Sequence, residues 1–461
     1  MAVTIAQKPL YNILPIGQQV VFSVSENTIV ATMFKVKFVA EVRISTSSGI
    51  NPNTSDDLIG TFKTTPNNAG VGIFDLRSIL ETFVSPDYEA SLVGNATYKG
   101  ISSSIVPFPL HLVDKYSLNN NSVRFFAVRF LVEYATTASG SVVTPTATKT
   151  DSTEYIMFNG VLQYDNYLTK SLYGNNYGYN IEEFELTDSS SKFLSNAPTT
   201  QYARLTDYGT FPFLNFAPTS SDAVSSLTLK YYNSSDVQLG ADYVLNTTTN
   251  GGTPVVGDSN TRLNYFGGFP ANLDGWSTTW DTHKANISYY TIQDGSGQSA
   301  LYRINILCPN LKGFEALRLT WLNQWGTWDY YTFNMKSTRS VNSNRTSYTQ
   351  LGGTWNESTF KINGYKGGKK NFRVNSTEKI KVNTDFVTED EGVWFEELIN
   401  SNEVYIVSEF SADDANTITN KYIEPVTLTT SSYTRKTIAN NKVMQYTFEV
   451  EKSRMRRTQS V

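Results

Sequence analysis

The sequence predicts a mainly β protein: two or three β-sandwich-like domains with a few short helices. Three observations predict it. Aromatic residues make up 13% of the chain, with 28 Tyr and 26 Phe, and rigid rings pack well on pleated, half-buried surfaces. Charged residues supply only 17%; Asn, Ser and Thr fill the polar positions instead, and the chain is too aromatic for disorder. Several runs alternate apolar and polar residues with period two, whereas few show the helical period. At 461 residues the chain exceeds what one core holds. Its runs divide into an N-terminal β domain over 1–190, a middle β domain over 191–310 and a C-terminal β domain over 311–461.

Residues 1–24 read as an arm and a first strand, interrupted by Pro9 and Pro15, with Val20, Phe22 and Val24 alternating. Residues 34–44 give the clearest strand. Phe34, Val36, Phe38, Ala40, Val42 and Ile44 line one face, and Lys35, Lys37, Glu41 and Arg43 most of the other, the pattern of a sheet with one wet side. Residues 58–63 fit a partner strand. Asp75 caps a short helix whose Leu76, Ile79, Leu80 and Phe83 fall at i, i+3, i+4 and i+7, and Pro86 stops it. Residues 123–133 are apolar on both faces, as a central strand requires. Thr136 to Ser152 reads as a loop, and 155–158 closes the unit.

Residues 160–190 hold Tyr164, Tyr167, Tyr173, Tyr177 and Tyr179 among Asn and Gly. They read either as contact surface offered at modest entropic cost or as a solvent-facing loop with a few docked rings. The middle domain gives strands over 202–216, 227–232, 287–292 and 301–307, the last two joined by the turn residues Asp294, Gly295, Ser296 and Gly297.

The C-terminal domain opens on an aromatic hairpin. Leu317, Leu319 and Trp321 alternate with Arg318 and Thr320; residues 323–326 form the turn; Trp328 to Phe333 return. A short strand holds Ile380 and Val382. Thr388 and Glu391 make a capping box for a helix over 389–400, with Trp394 and Leu398 one turn apart. Strands follow at Val404, Ile406, Ser408 and Phe410 and at Met444, Tyr446, Phe448 and Val450.

The composition narrows function. The net charge is −4, which argues against a direct nucleic-acid or anionic-membrane role. The basic tail, with Lys452, Arg454, Arg456 and Arg457, reads as a solvated terminus or an assembly contact. The single Cys308 excludes an intramolecular disulfide and reads as a small hydrophobe. No run is long and apolar enough for a membrane span. The two histidines, His111 and His283, lie in neither a metal spacing nor a triad motif. Gly364, Gly367 and Gly368 with Lys366, Lys369 and Lys370 lack the order of a phosphate loop and read as an exposed basic turn. Asp329 between Trp328 and Tyr330, and Glu396-Glu397 near Trp394, loosely fit the paired carboxylates of a glycosidase; a turn hydrogen bond and a solvated helix face are the alternatives. Asp56-Asp57 and Asp413-Asp414 fit calcium ligands or loop-start caps. No catalytic, cofactor-binding or metal residue is assigned.

The string RLTWLNQWGTWDYYTFNMKS over 318–337, preceded by Cys308, Phe314 and Glu315, resembles a motif in structural proteins of tailed bacteriophages, including the crAss-like phages that infect Bacteroidetes. Further pieces resemble the same group in the same order: the Met-Ala-Val-Thr-Ile start; NNAGVGIFDLRSIL over 67–80; Asp207 to Thr210 with Phe213 to Asn215; Lys370 to Phe372; Thr384 to Phe386; Trp394 to Leu398; and Glu403 to Tyr405. The resemblance implies a non-enzymatic virion protein of the tail, collar or ring region, made in the bacterial host cytoplasm. Its partners would be copies of itself in a cyclic ring, through heterologous lateral faces, and neighbouring tail, portal or collar proteins. The Tyr/Asn loops and the two ends, 1–16 and 452–461, are where contacts are expected, with those ends ordering only in the assembly, by strand addition for example. An adhesin, meaning a carbohydrate- or receptor-binding tail or head-decoration protein, is the second reading, and a glycosidase the third.

Overall fold

A computed structural model describes residues 2–90, 109–166, 181–184, 186, 189–214, 224, 226–246, 263–307, 313–409, 422–434 and 444–457. The protein is mainly β, with several separate sheets and a few short helices, as its composition predicts. It forms two compact units. The first comprises the described residues up to Leu307 together with Leu322–Asp329; the second comprises the described residues of 313–321, 330–409 and from 422 onward.

In the first unit, one sheet runs in the order Ile13–Pro15, Tyr155–Phe158, Val123–Ala135, Phe34–Ser45, Leu58–Thr64, with Thr150–Asp151 also paired to Val123–Ala135. The strand that is apolar on both faces does take the central place. A three-stranded sheet of Thr4–Gln7, Val21–Ser25 and Val71–Asp75 shares a core with it. Phe22 and Phe74 meet Phe130 at ring separations of 5.4 and 5.7 Å, among buried Phe38, Val42 and Tyr155. The wet side expected for Phe34–Ser45 is narrower than its charges suggest. Val39 and Arg43 are buried, and the Arg43 guanidinium donates through Nη2 to Glu41 at 3.0 Å and to the Thr54 carbonyl. The helix after Asp75 is one α turn, Arg77–Leu80, continued as 3-10 over Glu81–Phe83. Asp75 accepts from the Arg77 and Val20 amides.

Two further sheets complete the unit. One has the order Thr200–Ala203, Tyr302–Ile306, Tyr289–Asp294, Ser226–Tyr232, Tyr243–Asn246; the other joins Phe211–Leu214, Leu263–Phe266 and Tyr116–Leu118. A strand from the first 190 residues therefore finishes a sheet begun after residue 210, because Tyr116–Leu118 pairs with Leu263–Phe266.

The second unit is organised on an eight-stranded sheet in the order Trp328–Phe333, Leu317–Leu322, Val404–Val407, Ile423–Leu428, Thr447–Lys452, Gly368–Asn383, Thr338–Gln350, with Arg456–Arg457 paired to Gly368–Asn383. The helix Glu389–Asn400 starts at the capping box of Thr388 and Glu391. It lays Trp394 and Phe395 on the sheet, with Trp394 at 4.9 Å from Trp321 and Phe395 at 5.5 Å from Phe448.

The expectation that the two ends order only in an assembly is corrected for their described parts. Thr4–Gln7 and Ile13–Pro15 are paired to Val21–Ser25 and Tyr155–Phe158, and Arg456–Arg457 is paired at Asn375 and Ser376. Local Pro and charge content suggested loose ends, but sheet edges elsewhere in each unit supply backbone partners. The short strand expected around Ile380 is the base of a much longer hairpin, Thr338–Gln350 with Gly368–Asn383. Among the described residues no helix is long and apolar enough to cross a membrane.

Candidate functional site

The aromatic hairpin is a structural anchor. Gly326 stands in its turn at φ +74°, and a Cβ there would lie 1.4 Å from the Asn159 carbonyl oxygen, so only glycine fits. Trp328 is buried, donates its indole N–H to the Asp87 carbonyl at 2.8 Å and meets the His111 ring edge-on at 5.1 Å. Asp329, also buried, accepts from Ser195 Oγ at 2.6 Å and Asn323 Nδ2 at 3.0 Å. Asn323 Oδ1 in turn accepts from the Trp325 and Thr327 amides, each at 3.0 Å. A carboxylate held in this way fixes a turn, the structural alternative that the sequence leaves open for Asp329.

The other sequence candidates are dispersed. His111 is buried in the 3-10 turn Leu110–Leu112. His283 ends the helix Thr278–His283. Glu396 and Glu397 lie half-buried on the helix Glu389–Asn400. Asp56 and Asp57 are exposed, and the Asp57 carbonyl accepts from the Ile44 amide at 2.9 Å. Cys308, Asp413-Asp414 and the tyrosines from Tyr167 to Tyr179 lie outside the described residues. Among the described residues no group of three or more His, Cys, Asp or Glu side chains is placed to hold a metal ion.

The long hairpin has a different character. Thr338 pairs with Lys381 and the ladder runs, antiparallel, to Gln350 opposite Gly368. At about 3.4 Å per residue this ribbon is roughly 40 Å long. Strand Thr338–Gln350 is exposed on both faces over its first ten residues. Strand Gly368–Asn383 meets Thr447–Lys452 only over Lys379–Asn383 and meets Arg456–Arg457 only at Asn375 and Ser376. Residues 346–350 and 368–373 thus pair only with each other in the sheet. A register shift leaves Phe372 without a counterpart, since Thr346 faces Arg373 and Ser347 faces Asn371; such a bulge bends the ribbon.

The base of the ribbon is clamped. Glu378, itself buried, receives Arg339 Nη1 at 3.2 Å, Arg456 Nη2 at 3.4 Å and Lys452 Nζ at 3.9 Å. Lys452 also reaches Glu424 at 2.9 Å. Two cations of the basic tail are therefore used inside the second unit.

The far end is apolar and in water. Leu351, Trp355, Phe360, Ile362 and Tyr365 are 74%, 77%, 66%, 81% and 76% exposed. Two neighbouring glycine pairs form its neck: a Cβ on Gly367 (φ +91°) would lie 2.7 Å from the Gly352 Cα. The turn of Gly364, Lys366, Gly367 and Gly368 is here, followed by Lys369 and Lys370, so the exposed basic turn that the sequence predicts lies at the end of a protruding arm. Sequence reading missed the arm itself. Its strands are polar on both faces, so period two carries no apolar signal; the Thr, Val and Tyr content of 338–350 and the paired glycines at 352–353 and 367–368 were the available cues.

No protein-family model matches the sequence, and no curated protein matches it.

Proposed function

We propose that the protein is a non-enzymatic structural subunit of a tailed-phage virion, building a ring or collar of the tail or portal-proximal assembly by packing against copies of itself and neighbouring virion proteins. One observation carries the reading: the rigidly based ribbon that ends in five exposed apolar side chains within residues 351–365. Taking about 150–250 Å² per aromatic side chain, Trp355, Phe360 and Tyr365 alone leave several hundred Å² of ring surface in water. Apolar surface left in water to that extent within one short segment fits an interaction site. The ordered resemblance to phage structural proteins supplies the setting.

Electron microscopy of the purified protein tests it, together with immunogold labelling of virions. Rings or multimers, and label at the tail or collar, are expected. Hydrolysis of host-surface polysaccharide by the isolated chain, lost in Asp329→Asn, would overturn it. A second reading, glycan binding, is favoured by one observation, the exposed Trp355, Phe360 and Tyr365 on a single turn-rich segment. Titration of the protein with host-surface polysaccharide, repeated with Trp355→Ala, decides between the two.

A further inference from the structure

We infer that residues 340–374 form an exchange arm whose tip seats on a second copy of this chain. The inference rests on the structural-subunit reading and names the contact that would build it. Isolated two-stranded hairpins are marginal in water, yet this ribbon extends well past the last rung that the rest of the sheet supports. The Glu378 cluster ties its base to three neighbouring cations, so the arm is aimed before it meets anything, which lowers the entropic cost of docking. A stable interface buries about 800 Å² per partner. The three tip aromatics with Leu351 and Ile362 approach that figure at about 150–250 Å² per ring.

Charge selects the occupant. Residues 340–374 carry Arg345, Lys361, Lys366, Lys369, Lys370 and Arg373 against Glu357 alone, a net of +5. The whole chain is −4, so the remainder is −9. A second copy therefore offers the arm a body of opposite net charge, whereas a polyanion such as DNA or an acidic membrane meets a chain that is net negative outside the arm. One arm donated and one received per subunit is also the heterologous contact that closes into a ring.

The test uses the full chain. Molar mass by light scattering is compared for the wild type and Trp355→Ser/Phe360→Ser/Ile362→Ser. These side chains stand in water, so circular dichroism and Tm should not change, which verifies the fold of the variant. The wild type is expected to associate and the triple variant to weaken that association at least about tenfold, with a further loss on going from about 50 mM to about 500 mM NaCl. In a Cys308→Ser background, Ser358→Cys carrying a photo-cross-linker should join isotopically heavy to light chains at the tip. Only intrachain cross-links, a wild type that is monomeric at every concentration, or a triple variant of unchanged mass overturns the arm. In the last case the structural-subunit reading survives. So does it if the monomeric chain is still labelled in virions. Tip-dependent binding of duplex DNA or phosphatidylserine vesicles without self-association overturns the arm in favour of that ligand, and polysaccharide hydrolysis by the chain overturns the reading beneath it.

Discussion

Two hairpins in the last third of the chain have the same connectivity and opposite ends. In Leu317–Leu322 with Trp328–Phe333 nearly every residue is buried, and the turn between them is locked by Asn323 and Asp329. In Thr338–Gln350 with Gly368–Asn383 the first strand is exposed over most of its length and the second towards the loop, with Ile380 and Val382 buried at the base, and the loop between them carries exposed apolar residues. One hairpin spends its aromatic area on folding the monomer. The other keeps that area for something outside it. Trp325 lies in the turn of the first hairpin and is buried all the same, so what packs around the aromatic residues, rather than their number, separates a core hairpin from a presented one.

The largest effect should come from the buried hairpin. Trp321→Ala removes a fully buried ring that packs on Trp394 and Phe395. A loss of about 3–5 kcal/mol is expected, from transfer and cavity together, read by urea denaturation of the second unit with circular dichroism. A loss under about 1 kcal/mol would break the contrast between the hairpins.

Asp329→Ala comes next. It leaves the Ser195 hydroxyl and the Asn323 amide without the acceptor they share, at a cost of about 1–3 kcal/mol. Asp329→Asn keeps an acceptor oxygen and should cost less than the alanine variant. If the two cost the same, the carboxylate is not acting through these hydrogen bonds.

Much of the buried hairpin was legible in the sequence, and little of the presented one. Leu319 and Trp321 alternate with Arg318 and Thr320, which announced the strand, although both faces are buried where the alternation predicts one wet side. Capping chemistry is equally local, so Thr388 and Glu391 announced their helix correctly. Sheet partners are not local: nothing near Tyr116 says that it pairs with Phe266, and nothing near Arg456 says that it reaches Glu378. Strand Thr338–Gln350 was missed because no face of it is buried, which removes the selection that writes a period of two.

Glu378→Gln sharpens the comparison at the base of the ribbon. It weakens contacts to Arg339, Lys452 and Arg456, whose own side chains are partly or largely exposed. Gln keeps a hydrogen-bonding oxygen and leaves no unpaired charge at the buried position, while the cations can reach water, so global stability should change less than in Asp329→Ala. Hydrogen exchange at 338–342 and 377–381 should accelerate, because these rungs hold the arm to the sheet. Unchanged exchange there would mean that the ladder alone fixes the arm.

The smallest effect on folding is also the most informative. Trp355 is 77% exposed, so Trp355→Ser should leave monomer stability within about 0.5 kcal/mol, as expected for a surface site. The same kind of residue, tryptophan, would then be worth several kcal/mol at 321 and almost nothing at 355. A bulky ring at the end of a ribbon also adds exposed apolar surface, which lowers solubility. The variant should therefore be at least as soluble as the wild type and equally stable, while losing association. If Trp355→Ser instead destabilises the monomer by more than about 1 kcal/mol, the ring is packed in solution, and the arm folds back on its own chain.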